Sequence, residues 1–144
     1  MPHVTGIGET ALHVADLDRS VRFYHQLFAF TKIATDDRFC AFRVNDQQVF
    51  LLFKQGGTLE PVRIPGGIIP PHDGQGRMHM AFTIPAAEWS EWENQLRAQG
   101  VAIESTVEWG RGARSLYFRD PDRHLIELAT PGIWDRESHY GPDF

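Results

Sequence analysis

Three residues with side chains that can bind metal or move protons, Glu9, His79 and Glu127, stand at matching places in two similar halves of the chain. Glu9 and His79 each open an alternating segment, and Glu127 lies within the apolar run 125–129. A carboxylate in an apolar strand is costly unless it is paired or bound to a cation. The three positions together therefore predict a divalent-metal site.

The bulk composition narrows the class of protein that carries this site. A chain of 144 residues is long enough for one domain with a real core. The net charge of −5 offers no basic surface for phosphates, so we expect a small-molecule substrate and no nucleic acid. No apolar run reaches the roughly 20 residues of a membrane span, so we expect no membrane partner. No targeting segment is visible, and the single cysteine, Cys40, fits a reducing compartment, so we expect a cytoplasmic protein.

The first half of the chain reads as a strand, a helix and further strands. Residues 9–14 alternate, with Glu9, Ala11 and His13 on one face. Asp16 is the predicted N-cap of the helix that follows. Strands are predicted at 38–44 and 48–54, because the turn residues Asn45 and Asp46 separate them.

The second half repeats this order. A strand is predicted at 77–84, then a helix with Trp89, Trp92 and Leu96 on one face, then strands at 101–107, 113–119 and 124–129. The modules cover about 5–55 and 77–131 of a single domain, 1–144, with a tail at 132–144. The predicted fold class is α+β, with two tandem βαβββ modules whose sheets curl around a shared cavity.

The connection between the modules, residues 55–76, holds six glycines and four prolines. One interpretation is a plain linker. The other is a lid or a substrate wall, because a long loop inside a small domain is often functional. The sequence leaves both open.

Three motifs together carry a family resemblance. They are Ala15-Asp16-Leu17-Asp18-Arg19-Ser20-Val21-Arg22-Phe23-Tyr24, His79-Met80-Ala81-Phe82, and Ser115 to Leu128 with its Asp120-Pro121-Asp122-Arg123 turn. With them the chain resembles the vicinal oxygen chelate superfamily. That superfamily includes glyoxalase I, bleomycin-resistance proteins, thiol-transferring fosfomycin-resistance enzymes and extradiol dioxygenases. The resemblance implies the fold, but it does not choose among these reactions.

The resemblance also implies a ligand set for a metal ion. The first ligand position stands seven residues before Asp16 and is Glu9, while the other two positions match His79 and Glu127. A fourth position, used by some members, matches Leu51, which cannot bind metal. Two carboxylates and one imidazole favour Mn²⁺ or Fe²⁺ and also accept Zn²⁺, Ni²⁺ or Co²⁺.

Further roles follow for residues near this set. The candidate catalytic residues are Glu9, His13 and Glu127; His13 lies on the same strand face as Glu9 and is either an acid–base group or a satisfied cavity histidine. Ser115 and Tyr117 match a substrate-contacting element of fosfomycin-resistance enzymes. The candidate substrate-binding residues are His13, Phe50, Ser115 and Tyr117.

The leading functional hypothesis is a metal-dependent, glyoxalase-like lyase or isomerase that chelates two adjacent oxygens of a small metabolite. The alternatives are a dioxygenase, a thiol transferase of the fosfomycin-resistance type, and a bleomycin-type binding protein without chemistry. The thiol-transferase hypothesis would use Arg136 for a phosphonate, and the binding-protein hypothesis would use Phe50, Phe53, Phe82 and Tyr117. The resemblance further implies a homodimer.

Overall fold

The first half of the chain folds around a helix that begins where the sequence predicts. Asp16 accepts a hydrogen bond from the Arg19 amide at 3.0 Å and caps helix α1 (Leu17–Phe28). In this computed structural model, which describes residues 1–134, the helix belongs to a unit spanning Met1–Gly76. The strands of its main sheet are β1 (Glu9–Val14), β2 (Thr31–Thr35), β3 (Phe39–Arg43) and β4 (Val49–Lys54). Their order is β1-β4-β3-β2, with β1 parallel to β4.

The two faces of this sheet carry different residues because side chains alternate along each strand. One face packs on α1: the fully buried Phe50 lies 4.9 Å from the Tyr24 ring, measured between centroids. Cys40 is also fully buried on this face, and burial raises the pKa of its thiol. The opposite face carries Glu9 and His13 of β1.

The connection after β4 folds back onto its own unit. It contains a hairpin that the sequence analysis did not predict, formed by β5 (Val62–Ile64) and β6 (Gly67–Ile69). The two ends of the connection are tied together by the buried Thr58, which exchanges hydrogen bonds with the backbone of His72. The Gly56 amide donates to Asp73 at 3.0 Å. The segment is therefore an ordered wall of the first unit and not a plain linker.

The second half forms a unit described here from Arg77 onward. Its elements are β7 (His79–Thr83), a short 3₁₀ turn at Ala86–Glu88, α2 (Trp89–Ala98), β8 (Ser105–Gly110), β9 (Ala113–Arg119) and β10 (Leu125–Ala129). The sheet order is β7-β10-β9-β8, and β7 runs parallel to β10. Trp89 and Leu96 of α2 are buried. The two units thus share one βαβββ topology, and the predicted fold class is confirmed.

Two strands differ from the sequence expectation for physical reasons. The sequence analysis assigned no residue range to β2, because it is an edge strand with every residue exposed and so shows no apolar alternation. β8 begins at Ser105 and not at residue 101, because its register is set from the other end. The turn through Arg111 and Gly112, both at positive φ, pairs Gly110 with Ala113. No helix among residues 1–134 is long and apolar enough to cross a membrane.

The anchoring of the connection predicts how the first unit responds to acid. Hydrogen bonds from the Gly56 and Gly74 amides hold the pKa of the Asp73 carboxyl below its ordinary value. A lowered folded-state pKa means that the anchor is fully present above about pH 4 and is lost as the pH falls through the folded value. We expect Asp73→Ala to speed tryptic cleavage after Arg63 several-fold at pH 7, since the ends of the connection open more often. Asp46→Ala, an exposed carboxylate in the β3–β4 turn, is the control. Equal cleavage rates for all three proteins would show that Asp73 anchors nothing.

The turn before β10 predicts a stabilising substitution. Asp120 accepts hydrogen bonds from the amides of Asp122 and His124, at 2.9 and 2.8 Å, and this places Arg123 at φ +69°. A side chain in the left-handed region costs about 1 kcal/mol or more, which glycine avoids. We expect Arg123→Gly to raise the free energy of unfolding by about 0.5–1 kcal/mol in urea titrations. Arg123→Ala keeps the strained Cβ and should bring no such gain; a gain equal to that of glycine would contradict the strain argument.

Candidate functional site

The open face of the second unit gathers the predicted ligands His79 and Glu127. β7 and β10 are parallel neighbours, with His79 opposite Leu125 and Ala81 opposite Glu127. β9 lies on the other side of β10 and places Tyr117 directly opposite Glu127. The His79 side chain is 50% exposed and that of Glu127 only 10%. A nearly buried carboxylate therefore lies beside an imidazole that solvent reaches.

The contact between these two side chains requires a proton or a metal cation between them. His79 Nδ1 lies 2.9 Å from the carbonyl oxygen of Leu125, which can only accept, so Nδ1 carries a proton. His79 Nε2 then faces Glu127 Oε2 at 3.2 Å. In a neutral imidazole with this tautomer, Nε2 has a lone pair and no proton, so two acceptors would face each other. A proton on Nε2 or a metal cation resolves the repulsion.

The donor pair fits a divalent ion. Two ligand atoms about 2.1 Å from one ion and about 90–110° apart are separated by roughly 3.0–3.4 Å. The 3.2 Å between Nε2 and Oε2 falls in this range. The hydrogen bond of Nδ1 to a backbone carbonyl is the outer contact that metal-bound histidines usually make. Within either unit, no group of three or more His, Cys, Asp and Glu side chains among residues 1–134 is clustered for a metal ion. The second unit therefore brings together two side chains that could bind one ion, His79 and Glu127.

Ser115 has a different position from the one that the sequence analysis expected. It is fully buried; its hydroxyl donates to Glu127 Oε1 at 2.5 Å and accepts from Trp109 Nε1 at 2.8 Å. A buried hydroxyl that donates its proton in a hydrogen bond to Glu127 orients that carboxylate and does not face a substrate. Tyr117 keeps its expected position: it is partly exposed and its ring centroid lies 6.4 Å from that of His79.

Trp109 is the site residue that sequence reasoning missed. Its signal was weak: Val107 and Trp109 are the partly buried residues of β8, among exposed neighbours. Only the register of the β8–β9 hairpin, in which Val107 pairs with Ser115, shows that this strand runs beside the hydroxyl.

The first unit presents the same sheet positions with other residues. Glu9 pairs with Val49 as His79 pairs with Leu125, and Ala11 pairs with Leu51 as Ala81 pairs with Glu127. Glu9 is thus the repeat equivalent of His79, as the sequence analysis inferred. Leu51 occupies the place of Glu127, so the first unit lacks that carboxylate.

A hollow of about 520 Å³ lies on this face of the first unit. Glu9, Leu51 and Phe53 line it from the sheet, and the ordered connection closes it with residues that include Thr58, Val62, Ile69 and His72. Its wall is mainly apolar, as ligand pockets usually are.

Phe50, the predicted substrate contact, does not line this hollow. It is fully buried against Tyr24, on the helix side of the sheet, because it is one residue out of phase with Leu51 and Phe53. Phe53 is the aromatic residue of β4 that borders the hollow. Phe82 of β7 is likewise out of phase with His79, so only Phe53 and Tyr117 of the four expected aromatic contacts have the right position.

His13 lies at the edge of this hollow and is held on three sides. Its Nε2 lies 3.2 Å from Nδ1 of His72, and its ring stacks on Phe53 with centroids 5.6 Å apart. Gly74 packs against the same ring, where a Cβ would come within 2.7 Å of Nδ1. A hydrogen bond between His13 and His72 requires a proton on one of the two facing nitrogens, so each ring has the other as a hydrogen-bond partner. Arg136, the predicted phosphonate contact, lies outside the described residues.

Comparison with known proteins agrees with this geometry. A family model described as the Glyoxalase/Bleomycin resistance protein/Dioxygenase superfamily matches residues 6–128. The metallothiol transferase FosB of Bacillus licheniformis is 29% identical over 138 residues, covering 95% of this chain and 82% of FosB. The fosfomycin resistance protein FosX of Listeria innocua is 27% identical, covering 95% of this chain and 98% of FosX.

Solved structures give the same fold. A lactoylglutathione lyase from Agrobacterium tumefaciens superposes with a TM-score of 0.82 at 28% identity, covering 92% of this chain and 98% of the lyase. A variant of FosX from Listeria monocytogenes, complexed with Mn(II) and 1S,2S-dihydroxypropylphosphonic acid, has a TM-score of 0.64 at 23% identity, covering 88% and 90%. Because the family model spans most of the chain, this protein belongs to the Glyoxalase/Bleomycin resistance protein/Dioxygenase superfamily, which is the vicinal oxygen chelate family that its motifs resemble.

Proposed function

We propose that this protein is a divalent-metal-dependent enzyme of the lyase or isomerase type, acting on a small substrate with two adjacent oxygens. The observation that carries the proposal is the pairing of His79 Nε2 with Glu127 Oε2 at 3.2 Å on an open sheet face. Glu9 is the third proposed ligand, on its repeat equivalence to His79. A divalent ion in this set would polarise the substrate oxygens and stabilise negative charge on them.

The chain's own residues then have separate tasks. His79 is oriented by the Leu125 carbonyl, so its Nε2 is available without rotation of the ring. Tyr117, opposite Glu127, borders the open side and is the proposed substrate contact of the second unit. Glu9 and His13 are the proposed proton-transfer groups, since both lie on the open face of β1 and His13 has His72 as a proton partner. The relatives act on small molecules, which agrees with a hollow of this size.

The second candidate function is thiol transfer or another reaction that confers fosfomycin resistance, as the names of FosB and FosX indicate for those proteins. The similarity of those proteins across 95% of the chain favours it. One contact argues against it. Phosphonate oxygens need donors, and the only hydroxyl proton of Ser115 is directed at Glu127 Oε1. We therefore place the lyase or isomerase reaction first. The homodimer and the cytoplasmic location stay predictions.

Metal content tests the site directly. We expect protein purified without an affinity tag to hold about one equivalent of Mn, Fe, Zn, Ni or Co by mass spectrometry, or to take it up on reconstitution. Removing a ligand should weaken binding by more than the roughly 10–100-fold typical of outer-shell changes. Glu127→Ala and His79→Ala should therefore be nearly metal-free. Glu108→Ala, an exposed carboxylate on β8, should match the wild type. A wild-type protein that neither holds nor takes up metal would remove the metalloenzyme proposal and leave the binding-protein alternative.

Three assays on the metal-loaded protein separate the candidate reactions. We expect isomerisation of the hemithioacetal of methylglyoxal and glutathione, no consumption of fosfomycin with thiol or water by ³¹P NMR, and no uptake of O₂. Loss of a positioned acid–base group typically costs about 10²–10⁴ in rate. We therefore expect His13→Gln to lower kcat by about 100-fold while metal content stays unchanged. Fosfomycin turnover without isomerisation would establish the second candidate, and O₂ uptake would establish the dioxygenase.

A further inference from the structure

We infer that Trp109 and Ser115 form a relay of two hydrogen bonds, from Trp109 to Ser115 and from Ser115 to Glu127. This relay holds one carboxylate oxygen of Glu127, so that only the other oxygen can bind a metal ion, and it thereby sets the ion selectivity of the site. The inference rests on the proposed function, because it assumes that Glu127 is a metal ligand. It concerns two residues to which the ligand set itself assigns no role.

The direction of each hydrogen bond in the relay is fixed by chemistry. An indole N–H can only donate, so Trp109 Nε1 donates to Ser115 Oγ at 2.8 Å. Ser115 has one hydroxyl proton, and Glu127 Oε1, 2.5 Å away, accepts it. Hydrogen bonds to an ionised acceptor are the stronger class, and a donor to Ser115 Oγ polarises its hydroxyl further. The relay therefore runs from Trp109 to the carboxylate.

The relay divides the two oxygens of Glu127 between two partners. Oε1 is held by Ser115, and Oε2 faces His79 Nε2 at 3.2 Å. The burial of both Ser115 and Glu127 leaves the carboxylate no water to replace the hydroxyl if it turned. Glu127 is thus built to offer a cation one oxygen.

A single presented oxygen has a consequence for selectivity. Ca²⁺ takes six to eight oxygen ligands and often a bidentate carboxylate, whereas smaller divalent ions hold about six ligands at shorter distances. A carboxylate limited to one oxygen disfavours Ca²⁺. It also leaves a coordination position for a second substrate oxygen, which the proposed chelation needs.

The first unit supports the link between the relay and the ligand. In its sheet, Phe39 pairs with Phe53 as Ser115 pairs with Ala129, and Leu51 replaces Glu127. The hydroxyl and the carboxylate are thus both absent from the same positions of the repeated module. A serine kept only for packing would not need a carboxylate partner.

Calorimetric titrations of the metal-free protein with Mn²⁺ and with Ca²⁺ test the relay. We expect the wild type to prefer Mn²⁺, and Ser115→Ala to weaken Mn²⁺ binding about 10–100-fold while Ca²⁺ binding changes little. The Mn²⁺/Ca²⁺ preference should therefore fall at least about 10-fold. Ser115→Thr, which keeps the hydroxyl, should retain the preference, and Trp109→Phe should lower it less than Ser115→Ala.

A second readout needs no activity and no Mn²⁺. The four tryptophans give four indole N–H resonances, and the one lost in Trp109→Phe belongs to Trp109. We expect Zn²⁺, which is diamagnetic, to shift this resonance in the wild type and to leave it unchanged in His79→Ala. Ser105→Ala, an exposed hydroxyl on β8, is the control for both measurements.

The outcomes separate the two proposals. If the wild type binds metal but Ser115→Ala and Trp109→Phe have its affinities and its preference, the relay does not position Glu127 and only this inference is wrong. If the wild type binds none of the three ions, the proposed metal site is wrong and the relay with it. If Ser115→Ala fails to fold, Trp109→Phe still decides the question, since it removes the N–H donor at a partly exposed position and leaves Ser115 in place.

Discussion

The open face of the second unit depends on the contact between a nitrogen atom of His79 and a carboxylate oxygen of Glu127. His79 Nε2 and Glu127 Oε2 are 3.2 Å apart, and the Leu125 carbonyl keeps the imidazole proton on the far nitrogen. This contact is stable only when a proton or a metal cation lies between the two atoms. A carboxylate that is mostly buried intensifies this requirement, because water cannot screen it. The contact between these two side chains therefore agrees with the proposal that the site binds a cation, for which a proton would compete.

The two modules share a topology but carry different residues on their open sheet faces. In both, one sheet face buries its helix, so selection can act on the other face without loss of the core. On that face the second unit carries His79 and Glu127, the proposed ligand pair, and the hydroxyl of Ser115 that holds Glu127. The first replaces Glu127 by Leu51 and Ser115 by Phe39, and covers the result with an ordered connection. An apolar hollow is the physical result of removing those polar groups from the repeat.

The alternation of apolar and polar residues along the strands made most of the fold predictable, but it did not predict the contacts between side chains in the site. The positions of Glu9, His79 and Glu127 followed from periodicity and from motifs, and their register in the sheets agrees. Phe50 was assigned to the wrong face because the phase of β4 depends on which residues α1 covers. Trp109 could not be found, since its hydrogen bond depends on the β8–β9 register, which the turn after it sets. The local sequence pattern thus predicts the helices and strands, whereas the register between strands determines which side chains contact one another.

The same register bears on which reaction the site favours. Relatives with one fold differ in what they do, so the reaction must depend on where individual protons are directed. Here the Ser115 proton points inward, to Glu127, and the site's open side is left to Tyr117. In the proposed reaction a substrate would be held through its oxygens at the cation, and Ser115 would not donate to a phosphonate. In the first unit, His13 lies in contact with His72 and is the proposed proton-transfer group. Proton transfer between adjacent carbons needs an acid–base group and a means of holding two oxygens. Addition to a phosphonate needs hydrogen-bond donors, and Ser115 directs its only hydroxyl proton to Glu127 instead.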